Sequence, residues 1–164
     1  MGVVEIVPIT EAHIESFHRA LDFVARERRY LAFLEAPPLD AVRTFILDNI
    51  RHNYPQLVAL SDGNVVGWCD VLPNPRPINA HVGVLGMGLL PEFRRQGLGK
   101  RLITQTLDAA RAFGLHRIEL TVRKDNAVAI ELYKKVGFKV EGLQRHAVLV
   151  DGVYEDVVLM ATLF

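Results

Sequence analysis

Residues 89–100 read Leu89-Leu90-Pro91-Glu92-Phe93-Arg94-Arg95-Gln96-Gly97-Leu98-Gly99-Lys100, a turn joining two regular segments. Before it, Val82 to Leu90 is an apolar run containing Gly83, Gly86 and Gly88, which predicts a central strand. After it, Leu98, Leu102, Ile103, Leu107, Ala110 and Phe113 recur at helical spacing. Gly97 and Gly99 remove side chains where the chain enters that helix, leaving backbone N–H groups free to point at one anion. The helix N-terminus adds partial positive charge, and Arg94, Arg95 and Lys100 add whole charges. Such a turn has the chemistry of a diphosphate cradle. A glycine turn with a solvated basic edge is the simpler alternative. The Walker pattern fails at both defining positions, because Arg94 replaces its first glycine and Arg101 follows Lys100. The dinucleotide fingerprint fails at Leu102, which occupies its third glycine.

The flanks extend the same alternation of strand and helix. Ile14, Phe17, Leu21 and Val24 mark one helix face, with Thr10 as N-cap and the run Arg26-Glu27-Arg28-Arg29 at an exposed end. Beyond Pro37-Pro38, Val42, Phe45, Ile46 and Ile50 mark a second. Asp62-Gly63 between apolar runs signals a hairpin, as does Asp151-Gly152 near the C-terminus. Pro73 to Pro77 reads as an exposed loop. Ile118, Leu120 and Val122 alternate with Glu119, Thr121 and Arg123 as a strand, and Asn126 caps a short helix to about Val136. The order is strand, two helices, hairpin, strand, helix, strand, helix, hairpin. The central strand-helix-strand predicts a parallel crossover and the hairpins are antiparallel. The expectation is an α/β fold: a mixed, mostly antiparallel sheet with a central parallel pair and helices on both faces. A ligand belongs at the carboxyl end of that pair. Gly86 and Gly88 would leave a bare patch on one side of the central strand.

At 164 residues one domain, 1–164, is expected, and half the residues are hydrophobic, which excludes wholesale disorder. Nineteen basic residues balance nineteen acidic ones, so no general affinity for nucleic acid or anionic membrane is expected. The single cysteine, Cys69, excludes an internal disulfide framework and a multi-cysteine zinc site. With no signal-peptide pattern at the N-terminus and no apolar stretch of membrane-spanning length, a cytoplasmic location is expected.

Arg94-x-x-Gly97-x-Gly99 after an apolar strand resembles the acetyl-coenzyme-A signature of the GNAT family of N-acetyltransferases. Asn126-Ala127-Val128-Ala129-Ile130-Glu131-Leu132-Tyr133, followed by Gly137-Phe138, resembles that family's second signature. The resemblance runs from residue 57 to the C-terminus. It looks closest to the branches acting on amino acids or small amines and on ribosomal-protein N-termini. It implies the GNAT-like form of the sheet and acetyl-coenzyme A as acetyl donor. Leu89 would pair its backbone with the pantetheine arm, while Arg94, Arg95, Gln96, Gly97, Leu98, Gly99 and Lys100 would hold the diphosphate. Asn126 would bind the pantetheine region and Tyr133 would face the thioester sulfur. Lys134 or Lys135 would reach a nucleotide phosphate or stay solvated. No metal is implied, and a homodimer is an assembly known among similar proteins.

Acetyl transfer to an amine needs a neutral nitrogen, a held thioester, oxyanion stabilisation and a proton for the thiolate. A phenol with an ordinary pKa near 10 can supply that proton to a thiol near ~8.5, which makes Tyr133 the candidate acid. The base is open between Glu119, taken as the first candidate, and Asp70, His81, His146, Glu155 or a water chain. The strand from His81 to Leu90 carries no carboxylate, unlike family members with a glutamate there. The expected activity is acetyl transfer to the primary amine of an amino acid or other small molecule. A protein N-terminal acetyltransferase and a non-catalytic acyl-coenzyme-A sensor are the alternatives.

Overall fold

The computed structural model describes residues 2–164. Seven strands and four helices follow the order β1 (Glu5–Pro8), α1 (Ile14–Arg26), α2 (Leu39–Arg51), β2 (Gln56–Ser61), β3 (Asn64–Pro73), β4 (Val82–Leu89), α3 (Leu98–Phe113), β5 (Arg117–Arg123), α4 (Ala127–Lys135), β6 (Lys139–Val150) and β7 (Val153–Leu163). They form one sheet in the order β1-β2-β3-β4-β5-β7-β6. Only β4 and β5 are parallel, and the α/β architecture expected from the alternation is the one observed. Both Asp-Gly pairs turn hairpins with successive positive φ angles: 50° and 76° at Asp62-Gly63, 52° and 77° at Asp151-Gly152. That backbone twist matches the right-handed twist of the strands they join.

The parallel pairing is short. It runs from Val82↔Arg117 to Val84↔Glu119 and stops. Beyond it, β4 stays with β3 as far as Gly67↔Leu89, and β5 stays with β7 as far as Arg123↔Val157. Each strand is held by its outer antiparallel neighbour, so their carboxyl ends part. The result is a wedge-shaped opening in the middle of the sheet.

Two apolar layers cover the two faces. On one, Leu102, Ile103 and Leu107 of α3 pack with Tyr133 of α4 against Cys69, Val71, Leu85, Ile118, Leu120 and Met160. On the other, Ile14, Phe17, Leu21 and Val24 of α1 and Val42 and Ile46 of α2 pack against Val58, Val65 and Trp68. The helical spacing placed these residues correctly, with three exceptions: Phe113 at the end of α3, 39% exposed, and two on α2. Phe45 and Ile50 stay largely exposed at 40% and 39%, because α2 lies at the margin of the sheet and buries only a narrow stripe. Two loop expectations also change. The proline-rich segment after β3 contains a 3₁₀ turn at Pro77–Asn79. The charged run after α1 is not simply solvated: Arg28 turns left-handed at φ 61° and pairs with Asp151, 123 residues away.

The bare patch expected along Gly86 and Gly88 is half filled. A Cβ at Gly88 would lie 2.4 Å from the Trp68 ring, so the six-membered ring of the indole covers that backbone. Only Gly86 remains open, with the Asp70 carboxylate 3.6 Å from its Cβ direction. Gly88→Ala should therefore overpack a buried aromatic and destabilise the fold by about 1–3 kcal/mol. Thermal unfolding checks this. An unchanged midpoint would mean that Trp68 has room to move.

Candidate functional site

The turn from β4 into α3 is built around left-handed backbone. Arg95 has φ 61° and Gly97 has φ 79°, and the chain then enters α3 with Gly97 as N-cap. Only the glycine adopts this without strain; a Cβ there would meet no atom within 4 Å, so backbone angle rather than space selects it. The backbone N–H groups from Arg95 through Lys100 make no backbone hydrogen bond, the first beyond them being Arg101 N–H to the Gly97 carbonyl at 3.2 Å. Several converging donors at a helix N-terminus form an anion-binding concavity. Beside it opens a depression of about 290 Å³ lined by Gly97, Lys100, Arg101, Thr104 and Gln105. A larger hollow of about 390 Å³ follows the outer surface of α1 between Arg19 and Glu27, away from the wedge residues.

The side chains of the turn divide into two groups. Arg95 and Lys100 are exposed. Arg94 is not free: its guanidinium binds both oxygens of Glu27, its Nε donates to the Leu89 carbonyl at 3.0 Å, and it lies 4.8 Å over the Tyr30 ring. Gln96 folds its amide back onto the Glu92 carbonyl at 2.7 Å. Leu98 is buried, and a Cβ at Gly99 would meet the ends of Leu132, Leu89 and Met87 at 3.4–3.9 Å. The Leu89 carbonyl, expected to be available to a ligand, thus already accepts one hydrogen bond. Arg94 holds the turn in shape and ties it to the end of α1.

At the end of β5, the Asn126 side chain accepts from Ala129 N–H at 3.2 Å and caps α4. Two helical turns later Tyr133 is buried in the α3/α4 layer, its ring 5.9 Å from Phe138. Burial pushes its phenol above the ordinary value, and no hydrogen bond offsets that. Lys134 pairs with Glu131 at 3.7 Å, while Lys135 is exposed.

The candidate bases are scattered. Glu119 accepts from Arg117 Nε at 3.1 Å, and Arg117 also grips Glu141, so Glu119 is already part of an ion-pair chain. Glu155 pairs with Arg123 at 3.3 Å. His146 sits in the β6 bulge, stacked on Tyr154 with ring centres 5.1 Å apart. His81 precedes β4 at its amino end, the whole strand away from the cradle. Asp70 is half-buried on β3, across the ladder from Gly86, and has no ion-pair partner among the described residues; Glu119, on the same side of the sheet in register with Val84, is already held by Arg117. Sequence reasoning missed Arg123, which is 8% exposed and donates to the carbonyls of Arg28 and Leu31 at 2.8 and 3.1 Å. It fastens the α1–α2 connection over β5. An arginine in strand alternation looks solvent-facing; no local pattern says that a distant loop will cover it. Among the described residues no cluster of His, Cys, Asp or Glu is arranged to hold a metal, and no helix is long and apolar enough to cross a membrane.

A family model described as acetyltransferase (GNAT) family matches residues 8–138. The chain belongs to that family. It is 37% identical over 112 residues to the L-amino acid N-acetyltransferase AaaT of Escherichia coli K12, a match covering 68% of this chain and 69% of that protein. It is 35% identical over 103 residues to the N-alpha-acetyltransferase RimI of Mycobacterium tuberculosis, covering 62% of this chain and 61% of the relative. Among solved structures, an acetyltransferase of the GNAT family from Streptococcus pneumoniae superposes with a TM-score of 0.92 at 25% identity, covering 99% of this chain and 100% of the other. The fold also matches a putative acetyltransferase of Salmonella typhimurium, solved with its cofactor acetyl-CoA, at a TM-score of 0.92 and 18% identity, covering 99% and 94%.

The Arg94–Glu27 pair is three-quarters buried, so its removal should register in stability. Arg94→Ala, Glu27→Ala and the double variant form a cycle whose expected coupling is about 1–3 kcal/mol. Chemical denaturation measures it. Additive effects would show that Arg94 is held by Tyr30 and the Leu89 carbonyl alone.

Proposed function

We propose that this chain transfers the acetyl group of acetyl-coenzyme A to the primary amine of an amino acid or a similar small molecule, in the cytoplasm. The observation that carries the reading is the run of uncommitted N–H groups from Arg95 to Lys100 at the mouth of the wedge. A diphosphate there accepts from several backbone donors and meets the exposed charges of Arg95 and Lys100. The pantetheine arm then lies along the free edge of β4, in the opening that β5 leaves, with Asn126 at its side. The match to an L-amino acid N-acetyltransferase over two-thirds of the chain supports the small-molecule acceptor.

Tyr133 is the proposed acid. Its raised pKa keeps the proton on the phenol until a thiolate forms beside it, which is when a donor is needed. The buried setting also limits competition from water for that hydrogen bond. The cradle binds, the strand edge aligns the thioester, and Tyr133 serves the leaving sulfur.

Two variants test the parts separately. Arg95→Ala removes a charge without breaking any contact and should raise the KM for acetyl-coenzyme A several-fold, with a weaker salt dependence of binding. An unchanged KM would leave Arg95 solvated and the cradle misassigned. Tyr133→Phe keeps the ring packing and should lower kcat by about 10²–10⁴-fold while the calorimetric affinity for acetyl-coenzyme A stays constant. A folded variant with undiminished kcat would make Tyr133 a packing residue. Thiol release with a mixture of the twenty L-amino acids supplies the assay, and binding without release by the parent protein would point to a sensor.

A further inference from the structure

Asp70 is a carboxylate without a partner in the middle of a sheet. It lies on the α1/α2 side of β3, the side of Trp68, whereas Cys69 and Tyr133 lie on the α3/α4 side. A row runs across three strands on this side: Gln56 of β2, Asp70 of β3 and Gly86 of β4 stand in register. Gly86 brings no side chain, so nothing on β4 screens Asp70 from the wedge beyond Val84. Gln56 is 3% exposed; its Oε1 accepts from Asn49 Nδ2 at 3.0 Å, and its Nε2 has no partner in the protein. A buried amide donor and a carboxylate, both unpaired and side by side, are unfavourable for a fold that needs only packing. Strained polar arrangements of this kind mark functional positions.

We propose that Asp70, looking across Gly86 into the wedge, is the general base that takes the proton of the acceptor ammonium. The inference rests on the acetyl-transfer reading above and assigns the group that reading lacks. The donor occupies the α3/α4 side, where the cradle and Tyr133 are. The acceptor reaches the same opening from the opposite face, where Asp70 waits and the Gln56 amide offers a donor to hold a bridging solvent molecule or the acceptor itself. One proton of the ammonium passes to Asp70, and the freed lone pair forms the C–N bond to the thioester carbonyl. The C–S bond breaks, the thiolate takes the Tyr133 proton, and the second proton on nitrogen returns through solvent to the phenolate. Asp70 releases its proton to water. Ammonium plus thioester has become amide, thiol and one solvent proton.

The electrostatics suit this work. Burial alone pushes the Asp70 carboxyl up to about 7, with no hydrogen bond or charge contributing. Arg19 of α1 and Asp40 of α2 are exposed, Glu119 of β5 is held by Arg117 across the opening, and the other titratable groups of the covering elements are engaged elsewhere. On α1, Asp22 binds Arg26 and Ala36 N–H, His18 meets the Pro37 carbonyl, and Glu15 lies 3.9 Å from Arg43 of α2. At the end of α1, Glu27 holds Arg94; on α2, Asp48 holds Arg51 and lies 3.4 Å from His52. The facing positions on β2 and β4 are Gln56 and Gly86, which do not titrate. Because the folded pKa lies above the unfolded one, ionising Asp70 weakens the fold as pH rises from about 4 through 7. A base kept for chemistry would show this opposition between stability and activity.

Asp70→Asn, nearly isosteric, tests it with acetyl-coenzyme A and the twenty L-amino acids as probe. The expected result is a fall in kcat/KM of about 10²–10⁴-fold, loss of the acidic limb near pH 7, unchanged affinity for acetyl-coenzyme A, and a Tm at pH 8 no lower than the parent's. Asp70→Glu should recover part of the rate. An Asn variant that keeps both its rate and the limb near pH 7 overturns the proposal while leaving the acetyl-transfer reading intact. A parent protein that binds acetyl-coenzyme A yet releases no thiol overturns both. Should the Asn variant not fold, titration of ¹³C-labelled aspartate carboxyls in the parent reads the group directly. One carboxyl titrating near pH 7 supports the proposal, and every aspartate titrating in the ordinary range overturns it.

Discussion

Competition for β4 and β5 governs this molecule. Each strand could extend its parallel ladder with the other, yet each has a longer antiparallel partner on its outer side. Antiparallel pairing is slightly stronger per residue and is reinforced here by hairpin closure between β2 and β3 and between β6 and β7. The centre of the sheet therefore opens, and everything that resembles a site collects at the opening. The cradle lies at its carboxyl end, Tyr133 on one face and Asp70 on the other. A sheet with full β4–β5 pairing would bury the same residues and present no reachable strand edge.

Ion pairs and charged hydrogen bonds shape the rim of that opening. Glu27 with Arg94, Arg28 with Asp151 and Arg123 with two backbone carbonyls draw the segment after α1 towards the turn, the last hairpin and β5. These contacts join residues from 67 to 123 positions apart. They are more directional than apolar packing and fix where the segment sits rather than merely that it is covered. Arg123 matters most among them, because a buried guanidinium is tolerated only where carbonyls and a carboxylate receive it.

The elements were legible because their causes are local. Hydrophobic spacing gave α1 and α3, Asp-Gly gave the two hairpins, and Asn126 gave the start of α4. The resemblance to the family was legible in two short motifs whose glycines and asparagine have backbone reasons to be where they are, and the family model matching residues 8–138 shows the membership. What stayed hidden depended on register and long-range partnering. Nothing local says that Trp68 lies over Gly88, since the β3–β4 connection is too long to set the register by itself. Nothing local says that Arg94 is occupied by Glu27, or that Glu119 is drawn into a chain with Arg117 and Glu141. For the same reason Asp70 could be named among several carboxylates but not preferred until Gly86 was seen opposite it.

The place of β7 between β5 and β6 has a consequence for how the molecule comes together. β5 finds its long partner only after α4 and β6 have been passed, about thirty residues downstream. Until β7 inserts, β5 has no neighbour but the short parallel stretch of β4, and the energetically available error is for the two to zip further. Closing such a long loop is entropically slow, and non-local strand pairing of this kind delays folding. The opening thus depends on the final hairpin, whose β7 holds β5 along its length beyond the point where β4 leaves it. A chain without that pairing would lose the partner that keeps the carboxyl end of β5 apart from β4, and with it the place for a thioester.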